Sequence, residues 1–393
     1  MQISDAIKYV GVDDHDIDLF EGQFDVPNGM AYNSYLILGE KLAVMDSVDA
    51  HFGDQWLANI KAAAAGRDID YLVVQHMEMD HSANIRRFTE SFPQAKIVSS
   101  RMAFNLMKNY FGTDFADRQV IVAEGGSLEL GADEKGKVHT LSFIGAPQVH
   151  WPEVLFTYDS ADKVLFSADA FGKFGANDYD DPEGWACEAR RYYFGIVGKF
   201  GPQAQAALKK TAAFDIQAIA PLHGPVLTGS DMAEALRLYG IWTTYGVESE
   251  GVAIMYTSVY GNTKQAAEKL AKLLKERGCP KVAIADLARE DIYECVEDAF
   301  RYGKLVLATT TYNGGVFPAM REFIQHLTER GYQNRTVALI ENGSWAPAAA
   351  KAIVSMFDGS KDIRLLEPRV TIKIAVNADT ESQLSALADA LLK

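Results

Sequence analysis

His76, Glu78, Asp80 and His81 lie within six residues of one another, directly after the apolar run Tyr71-Leu72-Val73-Val74. Imidazole nitrogens mixed with carboxylate oxygens, placed where a buried strand gives way to a loop, are the ingredients of a metal site. Three more candidates stand at comparable strand ends. His150 precedes the strand-like segment Leu155 to Tyr158, Asp169 closes Val164 to Ala168, and His223 follows Ile216 to Ala220. Strand ends are rigid and the loops beyond them can converge, which suits ligands that must be held to a fraction of an ångström. Of the chain's 8 histidines, four belong to this set. The other four, His15, His51, His139 and His326, sit in polar or helical surroundings and are expected at the surface.

The donor set bears on the metal. Oxygen and nitrogen donors are about equally represented and there is no thiolate. Imidazole suits zinc, copper, iron or nickel, whereas carboxylate-rich sites with imidazole and open positions are typical of non-haem iron. A carboxylate shared by two ions needs a central aspartate, and Asp169 is the candidate. Three carboxylates would offset most of the charge of two divalent ions, which favours iron over zinc. His81 is an optional ligand in this set.

At 393 residues the chain is too long for one ordinary core, so two domains are expected. Residues 1–249 read as short strands and turns mixed with helices, among them Tyr35 to Leu38 and Leu42 to Met45. From residue 250 to 393 the pattern is a regular strand, loop, helix alternation, which predicts a parallel sheet with crossover helices. Its strands are Val252 to Tyr256, Val282 to Ala285, Leu305 to Thr309, Val337 to Glu341 and Thr371 to Val376, and Thr243 to Gly251 reads as the linker. Ala266, Ala267, Leu270, Leu273 and Leu274 share one helical face.

Three loops of this second region carry their own chemistry. Thr257-Ser258-Val259-Tyr260-Gly261-Asn262-Thr263 follows the first strand and opens a helix, where hydroxyls and backbone N–H groups make a phosphate cradle. Taken alone it could be a hydroxyl-rich helix cap. No Gly-x-Gly-x-x-Gly is present, so a dinucleotide of the Rossmann kind is not expected. The loops Thr311-Tyr312-Asn313-Gly314-Gly315 and Asn342-Gly343-Ser344-Trp345-Ala346 follow the third and fourth strands, at the carboxyl ends where open α/β sheets bind ligands. Tyr312 and Trp345 can cover the faces of an isoalloxazine ring. The first loop resembles the flavodoxin phosphate loop, departing from it at Val259-Tyr260, and the three together point to FMN.

Hydrophobic content of 48% and charged content of 23% are those of a globular protein. A net charge of −15 argues against nucleic acid or an anionic membrane as main partner. The first twenty residues hold five aspartates and no apolar run of signal-peptide length, and a cytoplasmic location is expected. Cys187, Cys279 and Cys295 are scattered with no Cys-x-x-Cys pair, so neither a disulfide framework nor a rubredoxin-type centre is expected, and each reads as a small buried residue.

Over nearly its whole length the chain resembles the flavodiiron proteins, soluble reductases of oxygen and nitric oxide. His76-x-Glu78-x-Asp80-His81, then His150, Asp169 and His223, match that family's diiron pattern, and His150-Trp151-Pro152 matches its surroundings. The resemblance implies an N-terminal metallo-β-lactamase-like αββα sandwich and a C-terminal flavodoxin-like doubly wound parallel sheet. It implies one iron on His76, Glu78 and His150, another on Asp80 and His223, with Asp169 bridging; the family's counterpart of His81 ligates in some members only. Tyr193, beside Tyr192, would assist catalysis. The implied substrates are O2, NO or both, with electrons from an external donor such as rubredoxin or a reduced deazaflavin, in a head-to-tail homodimer or dimer of dimers. A dinuclear zinc hydrolase fused to a flavodoxin, and an electron carrier or sensor with a structural metal, are the competing readings. Glu78 in place of a histidine speaks against the hydrolase.

Overall fold

The computed structural model describes residues 3–393, and the chain divides into two compact units, Met1–Gly240 and Ile241–Lys393. In the first unit, among the described residues, two six-stranded sheets face each other. One runs in the order Ile7–Tyr9, Tyr35–Leu38, Leu42–Met45, Tyr71–Val73, Lys96–Ser100, Gln119–Val122, and turns parallel from its third strand on. The other runs Ser127–Ala132, Val138–Gly145, Leu155–Asp159, Val164–Phe166, Ala218–Ala220, Leu227–Thr228. Tyr35, Ile37, Met45, Val73 and Val98 of one sheet pack on Leu141, Phe143, Leu155 and Phe166 of the other. Alternation along each strand sends these side chains inward. The helices Gly53–Ala64 and Arg101–Phe111 lie on the first sheet and Gly201–Thr211 on the second, giving the αββα sandwich.

In the second unit the parallel strands run in the order Val282–Asp286, Ser249–Tyr256, Tyr302–Tyr312, Arg335–Asn342, followed by Ile363–Leu365 and Val370–Ile372. This is the doubly wound order of flavodoxin-like sheets. Val252, Ile254, Val306, Ala308, Ala338 and Ile340 form one core with the helices Asn262–Glu276 and Ala378–Leu391. The alternate residues Ala253, Met255, Leu305 and Leu307 are buried as well, so the sheet is covered on both faces, as its continuous apolar strands require. Of the expected last strand, Thr371 to Val376, only Thr371 and Ile372 lie in a strand, Val370–Ile372, and the short strand Ile363–Leu365 precedes it, the two parted by Pro368, which offers no N–H to a ladder. Arg335 is buried and its guanidinium donates to the carbonyls of Tyr245, Gly246 and Phe300, tying the segment before the first strand to the sheet. Among the described residues no helix is long and apolar enough to cross a membrane.

Two expectations about side chains fail. Of the cysteines only Cys295 is buried, while Cys187 and Cys279 are half-buried. His139, expected at the surface, is fully buried. Its Nδ1 lies 3.0 Å from Asp159 Oδ1 and its Nε2 3.6 Å from Asp133 Oδ2, which ties the strand Val138–Gly145 to its neighbour and to a turn. Burial alone would push the His139 imidazolium down, but the bond and charge of Asp159, with Asp162 and Asp133 behind it, hold the pKa above its ordinary value. A raised folded pKa means that this stabilisation is complete below the unfolded value of about 6.5 and is lost as pH rises through the folded one. The urea midpoint gap between wild type and His139→Asn is therefore expected to narrow as pH is raised from about 6 upward; a gap independent of pH would contradict the assignment.

Candidate metal centre and ligand cradle

The first strand end is fixed by Asp46, immediately after Leu42–Met45 and in the left-handed region at φ 52°. Its Oδ1 accepts from the amides of Gln75 (2.7 Å) and His76 (3.3 Å), and its Oδ2 accepts from Gln75 Nε2 at 2.9 Å. Burial pushes the Asp46 carboxyl up to about 6 against these bonds. The short helix Met79–Ser82 then turns Asp80 and His81 inward and leaves Met79 outside. Ser47 secures the helix through bonds from its N and Oγ to the His81 carbonyl.

His76, Glu78, His150 and Asp169 form one cluster of converging donor atoms, and Asp80, His81 and His223 form another. In the first, Asp169 Oδ2 lies 3.0 Å from His76 Nε2 and 3.1 Å from His150 Nε2, and Glu78 Oε2 lies 3.3 and 2.9 Å from the same two atoms. In the second, His81 Nε2 and His223 Nε2 stand 3.0 Å apart, with Asp80 Oδ2 at 3.1 and 3.4 Å from them. Asp169 Oδ1 reaches this second pair at 3.5 and 3.6 Å, so one carboxylate turns an oxygen to each cluster. All seven expected ligands are brought together, His81 included.

The donor chemistry fits a pair of cations. Both oxygens of Asp80 and both of Asp169 are buried, and among the described residues none has a hydrogen-bond partner despite the nearby imidazoles. Ligands about 2.1 Å from a metal stand about 3 Å from one another without hydrogen-bond angles. Two imidazole nitrogens facing each other at 3.0 Å need a proton or a cation between them. Burial alone would push His76, His81 and His150 down, yet Asp169, Asp80 and Glu78 push them up, His150 to about 9. Burial also works against Glu78 and Asp169 as carboxylates; the imidazoles nevertheless hold Asp169 well below its usual range and Glu78 at about 2.

Aromatic rings wall the second cluster: Phe20, Tyr32 and Tyr192 stand 5.4, 5.9 and 5.4 Å from His223. Tyr192, rather than the expected Tyr193, is the tyrosine on this wall. Tyr193 packs against Phe194 and Tyr239, because consecutive helical residues point about 100° apart. Nothing in the sequence marks Glu153 or Asp46 for a role at this site. Glu153 is three residues beyond His150, and its Oε1 lies 2.9 Å from His76 Nδ1.

In the second unit the loops after the first, third and fourth strands line a cavity of about 480 Å³. Register brings the carboxyl ends together, with Tyr256 beside Ala308, Thr310 beside Asn342, and Asn342 beside Ile372. Of the expected contacts, Ser258, Val259, Tyr260, Asn262 and Thr263 line it from the first loop, Thr311 to Gly314 from the second, and Asn342 to Ala346 from the third. Thr257, Gly261 and Gly315 do not. Thr257 is buried beneath the floor against Thr309 Oγ1 at 2.7 Å, Gly261 caps the helix at φ 88° with its amide on Ser258 Oγ, and Gly315 pairs with Tyr312. Asn313 and Gly314, both at positive φ, make the two-residue hairpin turn that sets this second loop. Thr310 and Ile374 also line the cavity and were not foreseen. The helix Asn262–Glu276 points its free N–H groups here with no acid in its first turn, which suits a phosphate. Trp345 and Tyr260, each 92% exposed, stand at the rim.

A family model described as ODP family β-lactamase matches residues 30–224, and a flavodoxin-domain model matches 253–358. The nitric oxide reductase of Moorella thermoacetica is 28% identical over 94% of this chain and 92% of its own. Two solved structures superpose with a TM-score of 0.90 at 25% identity. They are the rubredoxin oxygen:oxidoreductase of Desulfovibrio gigas, covering 100% of this chain and 97% of that one, and the flavodiiron protein of Giardia intestinalis, covering 98% and 94%. The chain spans about half the length of the diflavin flavoproteins that it matches at 33% identity.

Asp46→Ala would strip the Gln75 and His76 amides of a buried acceptor. A loss of about 1–3 kcal/mol is expected from the unpaired groups, read as a lowered denaturation midpoint; an unchanged midpoint would contradict the anchoring role.

Proposed function

Given that the chain belongs to the flavodiiron protein family, we propose that it is an oxidoreductase reducing O2 to water, NO to N2O, or both. Oxygen takes four electrons and four protons to give two waters, and two NO take two of each to give N2O and one water. The cofactors are FMN and two non-haem irons, which when bound supply electron storage and open coordination positions for the gas. The metal role falls to residues 1–249 and the flavin role to 250–393.

One observation carries the reading: Asp169 directs one oxygen to each of two clusters of imidazole and carboxylate donors, in a buried setting where neither oxygen is hydrogen-bonded among the described residues. His76, Glu78 and His150 are assigned to one iron, Asp80, His81 and His223 to the other, and Asp169 to both. His223 Nδ1 donates to the Ala31 carbonyl at 2.7 Å, which fixes its tautomer and presents Nε2 to the site. Phe20, Tyr32 and Tyr192 limit water beside that iron, and Tyr192, held unionised by burial and then by the carboxylates, keeps its phenolic proton. Ser258, Asn262 and Thr263 are assigned to the flavin phosphate, and Tyr312 and Trp345 to its ring.

The electron donor is an external protein such as rubredoxin, or a reduced deazaflavin. A head-to-tail homodimer, or a dimer of such dimers, belongs to the same reading, with Trp345 and Tyr260 covered at the interface. The scattered cysteines, with no Cys-x-x-Cys spacing in the sequence, favour the cytoplasm.

Metal and flavin analysis should give about two irons and one FMN per chain, and protein photoreduced anaerobically should then consume oxygen, nitric oxide or both in parallel assays. Zinc with esterase or thioesterase activity would overturn the reading, and so would absence of gas consumption by the fully loaded, reduced protein. Glu78→Ala should lose iron and at least about 10-fold in turnover while keeping the flavin spectrum. Full activity in that variant would refute the ligand assignment. Sedimentation should give a dimer; a monomer with full turnover would remove the head-to-tail arrangement.

A further inference from the structure

We propose that Glu153 is a positioning residue that makes one metal site electronically unlike the other, an inference that rests on the dinuclear reading above. The side chain of Glu153 is fully buried, as is that of His76. A single oxygen, Oε1, accepts from His76 Nδ1 at 2.9 Å and from the Met77 amide at 2.8 Å. Its other oxygen is buried and, among the described residues, has no hydrogen-bond partner. The Nδ1 proton of His76 is thereby fixed, and the Nε2 lone pair faces Glu78 and Asp169. The amide bond also pins the main chain between His76 and Glu78, so one carboxylate orients two ligands of the same ion.

Among the described residues the second cluster has no equivalent hydrogen bond, and the buried Asp46 carboxylate acts on His81 through charge alone. His223 Nδ1 donates to a neutral carbonyl, that of Ala31, and His81 Nδ1 is buried with no hydrogen-bond partner among the described residues. A carboxylate drawing on the Nδ1 proton raises the basicity of the opposite nitrogen, whereas a peptide carbonyl does so weakly. Behind His76 there is thus a further anion beyond Glu78 and Asp169, in a buried setting where charges are poorly screened. Negative charge favours the higher oxidation state. The ion on His76 is therefore held more tightly, and as iron it is the harder of the two to reduce.

Glu153→Gln in the full-length, metal-loaded protein isolates the charge. The amide oxygen of Gln can still accept from both His76 and Met77, so a merely structural residue would tolerate the change. Two readouts decide: metal retention against a chelator, and the two iron midpoint potentials followed by Mössbauer spectroscopy during a redox titration. One ion is expected to leave about 10-fold more readily. One iron is expected to shift about tenfold toward the ferrous state, about 59 mV for one electron, with its quadrupole signal altered and the other iron unmoved. Glu153→Asp, which keeps the charge on a shorter stem, should recover part of both effects. Wild-type retention and potentials in Glu153→Gln, or equal shifts at both irons, would overturn the proposal. Should Glu153→Gln fail to fold, Glu153→Asp must still show a smaller change confined to one ion, and no change there would overturn it. Zinc in the wild-type protein would sink the proposed reductase function instead, while the retention comparison would still decide the role of Glu153.

Discussion

Buried negative charge without hydrogen-bond partners is the condition around which residues 1–240 are arranged. Removing Asp80 and Asp169 from water carries a penalty of several kcal/mol per ion unless positive charge compensates it. The sandwich core supplies none, since its facing sheets meet through Tyr35, Ile37, Phe143 and Phe166. Compensation must come from imidazoles and from what they help to bind. This explains why the ligands come from strand ends rather than from strand interiors: there the chain can leave the apolar layer while keeping its rigidity. The left-handed Asp46, itself buried and itself a carboxylate, belongs to the same economy of structure, because it satisfies main-chain amides that no neighbouring strand reaches.

The second unit solves a different problem with neutral groups. Its parallel strands are apolar on both faces, so chemistry is confined to their carboxyl ends. Hydroxyls pair at the floor, Thr257 with Thr309 beneath the cavity and Thr263 with Thr310 lining it, which lets the floor be polar without exposing unpaired donors. What faces the cavity is backbone, amide and hydroxyl, with the aromatic rings of Trp345 and Tyr260 at the edge. A cradle of this kind recognises an anion through dipoles and a flat ring through contact, and needs no buried charge of its own.

Much of this was legible in the chain because both sites are built from short, contiguous stretches. His76 to His81 and the three loops of the second unit are local, and so were read together with the strands that carry them. What escaped depends on pairing across distance or on angle around an axis. His139 sits among polar neighbours and reads as exposed, yet antiparallel pairing buries it against Asp159, twenty residues on. Tyr192 and Tyr193 are adjacent in sequence, and only the phase of the helix separates the one at His223 from the one at Tyr239. Glu153 was visible as a carboxylate near a ligand, but its partner is His76, seventy-seven positions earlier. Gly261 and Gly315 were expected to touch the ligand because glycine permits close approach; at both, the freedom is used to shape the loop instead.

The Asp46 anchor has a consequence for how the protein acquires its metals. The turn that carries Gln75 and His76 is tied by protein hydrogen bonds alone, and the Met79–Ser82 helix is tied by Ser47. The cage is therefore rigid before loading, and its shape is not something the ions must induce. Uptake becomes a matter of admission through the half-open side at Glu78 and His150, whose side chains keep 18% and 10% of their surface exposed, rather than of refolding.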